Sequence, residues 1–213
     1  MPLYKTLFIN KSTTVFIWKI EESFEDLAIN IDLTENSQNR VNGMKSDLHR
    51  RGFMSIRHLL AIVGYVDADL YYDDFGKPHL KNGKFISITH SFIFTAIIVS
   101  DTTRVGIDIE KQRDKILRIA HKFTTTEDYD HLTNEQDLVR KLTIVWGAKE
   151  SLYKIYEQEG LSFLQHIYVE DFSFKGAQTT ATITFGEKIS SYDISFLEFE
   201  GFTCVYALDE LLN

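Results

Sequence analysis

One cysteine, Cys204, stands in a chain of 213 residues. A single thiol can close no internal disulfide and can build no multi-cysteine zinc site; within FTCVYAL it reads as a small buried hydrophobe. Proline is almost missing. Pro2 and Pro78 are the only two, and no Pro/Gly/Ser tract separates one part of the sequence from another. Long apolar runs are missing too: FIFTAIIVS, at 92–100, falls far short of the ~20 residues of a membrane-spanning helix. The opening MPLYKTLFINKS lacks the apolar core and small-residue cleavage site of a secretory signal, so the cytoplasm is the expected compartment. Positive charge is in deficit, with a net charge of −8, which argues against a general nucleic-acid binder, because backbone neutralisation needs a basic surface. No P-loop, dinucleotide-binding glycine fingerprint or His-Glu-x-x-His zinc motif occurs.

The charge that is present is uneven. Residues 40–58 hold Arg40, Lys45, Arg50, Arg51 and Arg57 against Asp47, and residues 111–122 hold Lys111, Arg113, Lys115, Arg118 and Lys122 against Asp114, so each island carries +4. Such islands on an acidic chain suggest local anion binding, or two solvated helix faces.

The pattern of apolar residues predicts an α+β fold. TLFINKSTTVFIWKI reads as strand-rich. Residues 44–63 carry apolar side chains at helical spacing, with Gly64 as the stop. DDFGKPHL is turn chemistry; KFISITH, IFTAIIVS and VGIDIE read as strands, and KILRIAHKF as a helix. Thr124-x-x-Glu127 has the form of a capping box. A long helix is expected from Glu135 to Glu157, ended by Gly160. The segments HIYVEDFSF, TTATITF, YDISFLEF and FTCVYAL then alternate like antiparallel strands. The order of elements suggests two similar α+β halves, 1–104 and 105–213, although no repeat is visible in the residues themselves.

Three short motifs carry chemistry. In VGIDIE the period-two alternation puts Asp108 and Glu110 on the same face, with Cα atoms about 6.6 Å apart. Both could reach one hard cation; the competing reading is an acidic solvent face. In WGAKESLYK, Trp146, Glu150 and Lys154 form one helical stripe, which supplies a third carboxylate and a cation, or else an ordinary exposed Glu150–Lys154 ion pair. Lys77 in the GKP turn and the Thr89-His90-Ser91 triplet at a strand end could donate hydrogen bonds to an anion, or form a surface turn and a strand end.

In this order and spacing, Gly76-Lys77-Pro78, Thr89-His90-Ser91, Gly106-x-Asp108-x-Glu110 and Trp146-x-x-Lys149-Glu150-x-x-x-Lys154 resemble the phosphopantetheinyl transferase superfamily, specifically its larger monomeric type. RRGFMSIRHLL resembles the family's arginine-bearing helix, and the resemblance runs from about residue 45 to 156. It implies a pseudo-duplicated fold with the active site in the cleft between the halves, the N-terminal one contacting coenzyme A and the C-terminal one holding the metal. Asp108, Glu110 and Glu150 would bind magnesium. Lys77, His90 and Lys154 would contact the coenzyme A phosphates, together with the Thr89 and Ser91 hydroxyls, and Arg57 would lie near the adenosine end. Glu150 or a metal-bound water would deprotonate the acceptor, with Lys154 and His90 completing an electrostatic clamp.

The implied reaction moves phosphopantetheine from coenzyme A to a serine hydroxyl of an apo carrier protein and releases adenosine 3′,5′-bisphosphate. A coenzyme A- or carrier-binding module without turnover is the alternative. Arg113, Lys115 or Arg118 is expected to steer an acidic carrier. Neither a membrane nor nucleic acid is an expected partner. Thr89 replaces the family's usual serine, and Gly147 sits inside a helix at a cost of about 1 kcal/mol relative to alanine. Glu127 is open between a functional carboxylate and a helix cap.

Overall fold

Alternating β-branched and aromatic residues open the chain, and in a computed structural model they form β1 (Leu3–Phe8) and β2 (Thr13–Lys19). The structure describes residues 3–125, 129, 131–156 and 158–209. Two units divide it, residues 1–102 and 103–213.

In the N-terminal unit two short helices follow the first hairpin, α1 (Phe24–Ala28) and α2 (Glu35–Asn42). Ser23 and Thr34 cap them by accepting hydrogen bonds from Asp26 N–H and Ser37 N–H. Each buries one side chain, Leu27 or Val41. One buried residue makes no periodic signal, so the hydrophobic pattern could not announce either helix. The main helix, α3 (Asp47–Ile62), starts at the Ser46 cap, three residues inside the span expected from periodicity. Gly64, at φ +84°, ends it while Tyr65 N–H returns to the Leu60 carbonyl at 2.9 Å, a left-handed closure that glycine adopts without a Cβ penalty.

The hairpin β3 (Leu70–Tyr72) and β4 (Pro78–Leu80) carries the GKP turn at its tip. β5 (Phe85–Ser91) and β6 (Phe94–Ser100) complete an antiparallel sheet in the order β1-β2-β6-β5. Helix α3 packs Ile56, Leu59 and Leu60 into a core with Trp18, Ile86 and Ile97.

The C-terminal unit begins with β7 (Val105–Lys111), then α4 (Lys115–Ile119) and a 3-10 turn at Ala120–Lys122. Glu127 and its capping box lie outside the described residues. Helix α5 (Glu135–Tyr156) is followed by α6 (Phe163–His166) and by β8 (Ile167–Val169), β9 (Gln178–Phe185), β10 (Lys188–Phe199) and β11 (Phe202–Asp209). All pairs are antiparallel, and the order β7-β11-β10-β9-β8 places the unit's first strand beside its last. The two sheets and their packed helices make the class α+β. Among the described residues no helix is long and apolar enough to cross a membrane.

Two glycines let α5 lie close on the sheet. A Cβ on Gly106 would stand 1.9 Å from the Ser151 carbonyl oxygen, and one on Gly147 would stand 2.7 Å from Val205 Cγ2. Ser151 Oγ also donates to the Val205 carbonyl at 3.1 Å. The glycine inside the helix therefore admits a neighbouring strand. Gly106→Ala is expected to cost about 3 kcal/mol or more, because backbone must move to relieve the overlap. Gly147→Ala should cost less: a valine methyl can shift, and alanine recovers about 1 kcal/mol of helix propensity. Urea denaturation of the two variants checks the ranking.

Candidate active site

Strand β7 is buried on both faces. Asp108 is only 7% exposed, and α5 covers its side of the strand, where a Cβ on Gly147 would approach Asp108 Oδ2. The acidic-solvent-face reading of VGIDIE is thereby excluded. Val105, Ile107 and Ile109 alternate with it and are buried on the opposite face.

The helical stripe meets these strand carboxylates. Lys154 Nζ donates to Asp108 Oδ1 at 3.0 Å and to the Ile107 carbonyl at 2.7 Å. Glu110, on the same strand face, feels Asp108, Trp146, Arg113 and Glu150. Glu150 feels the charges of Asp108 and Lys154. The Glu150–Lys154 pairing considered from helix spacing is thus replaced by a strand-to-helix ion pair, Lys154–Asp108.

Crowded, desolvated carboxylates resist ionising together. Burial, and then the Asp108 charge, push Glu110 up to about 7, with Trp146 and Arg113 opposing. Burial and Asp108 also raise Glu150 above the ordinary carboxylate range, with Lys154 opposing. Among the described residues no three His, Cys, Asp or Glu side chains stand as a formed metal cage. The donor set Asp108, Glu110 and Glu150 is nevertheless all oxygen and mutually repulsive. Its chemistry fits a hard divalent cation, whose charge relieves that repulsion.

Lys149, in the same motif, faces the other way. Its ammonium donates to the carbonyls of Phe123 at 2.6 Å, Phe163 at 2.7 Å and Ile167 at 2.6 Å. Burial alone draws it down to about 8. All three N–H groups are used, so Lys149 is no phosphate ligand in this structure. Nothing in the sequence distinguishes it from a solvated helix lysine.

In the N-terminal unit the GKP turn is built by Asp73. Its Oδ1 accepts from Phe75 N–H at 3.0 Å and Lys77 N–H at 2.9 Å, and its Oδ2 contacts His79 Nε2 at 2.9 Å. An aspartate closing on its own backbone is a turn signal that DDFGKP displays, though residue spacing alone does not show that it braces Lys77. Lys77 itself is half-buried. His90 is exposed, and its ring lies on Gly52, where a Cβ would come within 2.7 Å of Cδ2. The His49 ring is edge-on to it at 5.5 Å. Desolvation and His49 hold the His90 imidazole below its ordinary range, so it is neutral near pH 7 and keeps one N–H to donate.

The triplet at the end of β5 does not act as a unit. Strand alternation sends Thr89 and Ser91 to the face opposite His90, where both are buried at 6% and 9% exposure. Arg57 is corrected outright. Its side chain is 3% exposed and pairs with Asp67 through Nε at 2.8 Å. It also bonds the Phe53 carbonyl and Ser37 Oγ, and Asp67 accepts two further bonds from Thr34. A guanidinium held on all sides in the interior has no face left for the adenosine end of a ligand.

In the first basic island only Arg57 is interior, and three of the others have partners within their own unit. Arg40 stacks over Tyr72 and Arg50 over Phe24, while Arg51 pairs with Asp47. In the second island Arg113, Lys115, Arg118 and Lys122 are exposed.

The C-terminal unit thus sets a strand carboxylate pair against a helix bearing a third carboxylate and a lysine. Residues 104–207 match the family model of the 4'-phosphopantetheinyl transferase superfamily. No curated protein matches the chain.

The metal-free protein should carry the Glu110 strain as a pH dependence. Its pKa, pushed up to about 7, lies above the ordinary 4.5, so the folded form holds the proton more tightly. Its contribution is intact below the unfolded pKa and is lost as pH rises through about 7. In chelator, Glu110→Gln is expected to match the wild type at pH 4.5 and exceed its stability at pH 8 by about 1–2 kcal/mol, a figure discounted for partial solvent screening. Urea titrations at the two pH values check this.

Proposed function

We propose that the protein is a magnesium-dependent 4′-phosphopantetheinyl transferase of the larger, monomeric type, acting on an apo carrier protein with coenzyme A as donor. The observation that carries the reading is the meeting of Asp108 and Glu110 with Trp146, Glu150 and Lys154 inside the matched segment.

In the proposed reaction the carrier's serine Oγ forms a bond to the phosphorus that bears the pantetheine arm. The P–O bond to the adenosine-side phosphate breaks, adenosine 3′,5′-bisphosphate leaves, and the hydroxyl proton passes to Glu150. Burial raises the proton affinity of Glu150, which suits a general base. Lys154, already drawn against Asp108, carries positive charge to where the pyrophosphate would meet the carboxylates. Asp108, Glu110 and Glu150 would hold Mg2+, which when bound neutralises charge collecting on the pyrophosphate. From the N-terminal unit the reading keeps Lys77, on its Asp73-braced turn, and the exposed His90 as phosphate contacts. Arg57, Thr89 and Ser91 serve the interior instead.

The acidic partner is supported by the second basic island, whose cations are exposed. Charge on such a rim speeds encounter more than it tightens the final complex.

The deciding experiment is intact-mass analysis of several apo carrier proteins incubated with the enzyme, coenzyme A and Mg2+. One added phosphopantetheine, lost with chelator and with Asp108→Ala, is the expected result. Absence of any mass gain, together with no coenzyme A binding by calorimetry, would overturn the reading. Reversing Arg113, Lys115 and Arg118 to glutamate should raise the carrier's KM roughly tenfold at low salt, and the difference should shrink as salt is added. Initial rates against carrier concentration at two ionic strengths measure it.

A further inference from the structure

Gly52 lies buried inside α3, where a glycine weakens the helix and is kept when a neighbour must come close. The neighbour here is the candidate phosphate contact His90. A Cβ at 52 would stand 2.7 Å from Cδ2, 3.1 Å from Nε2 and 3.5 Å from Cγ of its ring. The imidazole therefore lies on bare helix backbone, with its Cδ2–Nε2 edge toward the glycine.

This seat belongs to a row of contacts that crosses three strands. His90 on β5 stands opposite Thr95 on β6, and Thr95 stands opposite Trp18 on β2. Along α3, Gly52, Ser55 and His58 meet these residues in turn. Ser55 Oγ lies 2.8 Å from Thr95 Oγ1 and donates to the Gly52 carbonyl at 2.9 Å. The His58 ring stacks on Trp18 with centroids 5.2 Å apart. Three helical residues rise about 4.5 Å and neighbouring strands lie about 4.8 Å apart, so the helix advances one strand per contact. Two side-chain contacts fix the register, and at the third a missing side chain leaves room for the ring. His49, one turn before Gly52, sets its own ring edge-on to His90 at 5.5 Å. Among the described residues no hydrogen bond engages either nitrogen of His90.

We infer that Gly52 is a positioning residue: its bare backbone lets α3 seat the His90 imidazole at the end of β5 and hold a ring nitrogen ready for a phosphate of coenzyme A. The inference rests on the reading of His90 as a phosphate contact. A methyl group at 52 must displace the ring, because Ser55 and His58 pin the helix and the imidazole is the movable partner.

The test is a double-mutant cycle on the full chain between Gly52→Ala and His90→Ala. Calorimetry with Mg2+ present measures coenzyme A affinity, and urea denaturation measures stability. NMR of protein labelled at its seven histidines reports the ring's surroundings, with His90→Ala assigning the His90 resonance. Gly52→Ala is expected to move that resonance. It should also weaken coenzyme A about tenfold, the loss of one hydrogen bond to a charged group. In the His90→Ala background the same methyl should leave affinity unchanged and raise the urea midpoint, since alanine favours the helix once no ring opposes it.

A His90 resonance indifferent to Gly52→Ala, or a methyl that weakens coenzyme A equally with and without the ring, would overturn the inference. If Gly52→Ala does not fold, the double variant must, because the collision is gone; a second failure to fold would also overturn it. A wild type that binds no coenzyme A would sink the phosphate-contact reading alone. The histidine spectra and the urea midpoints would still uphold or refute the seat.

Discussion

The approach of α5 to β7 and β11 is the constraint on which the C-terminal unit depends. A backbone carbonyl of the helix occupies the place of a side chain at Gly106, and Val205 occupies it at Gly147. At Gly106 only glycine permits that distance, and at Gly147 any larger residue must push the valine methyl aside. Once the helix is seated, its stripe falls on the strand's acidic face, with Lys154 on Asp108. Displacing the helix outward by the width of a methyl group would lengthen that short contact. The glycine of Gly-x-Asp-x-Glu and the glycine after Trp146 therefore belong to the site as much as its charged residues do.

This seating concentrates carboxylates where water is scarce, at a cost in stability. Lys154 offsets part of it for Asp108, and Trp146 offsets part of it for Glu110, yet Glu110 and Glu150 both stay raised. The mutual repulsion of such an all-oxygen donor set is what a divalent cation would relieve.

The buried cations show how differently one residue type can be used. Arg57 is neutralised by Asp67, and Lys141 by Asp171, whereas Lys149 is satisfied by carbonyl dipoles. Each takes charge away from the surface and spends it on holding elements together. A count of basic residues along the sequence therefore overstated the first island as an anion site, because Arg40, Arg50, Arg51 and Arg57 face rings or carboxylates of their own unit.

The sequence by itself determined the α+β class, the course of β5 to β7, the long helix α5 and the shared stripe of Trp146, Glu150 and Lys154, because periods of 2 and 3.6 specify which side chains share a face. Asp108 and Glu110 were legible as a pair for the same reason. The one-buried-residue helices α1 and α2 were not, since they have no period to read. Tertiary structure alone decided what each face meets: that Lys154 pairs with Asp108 rather than Glu150, that Thr89 and Ser91 turn inward while His90 stays exposed, and that Arg57 and Lys149 are interior. These outcomes depend on contacts between residues far apart in the chain, such as Lys154 with Asp108 or Lys149 with Phe123. Local spacing carries no record of which distant group will neutralise a charge, and so the roles of the charged residues had to wait for the fold.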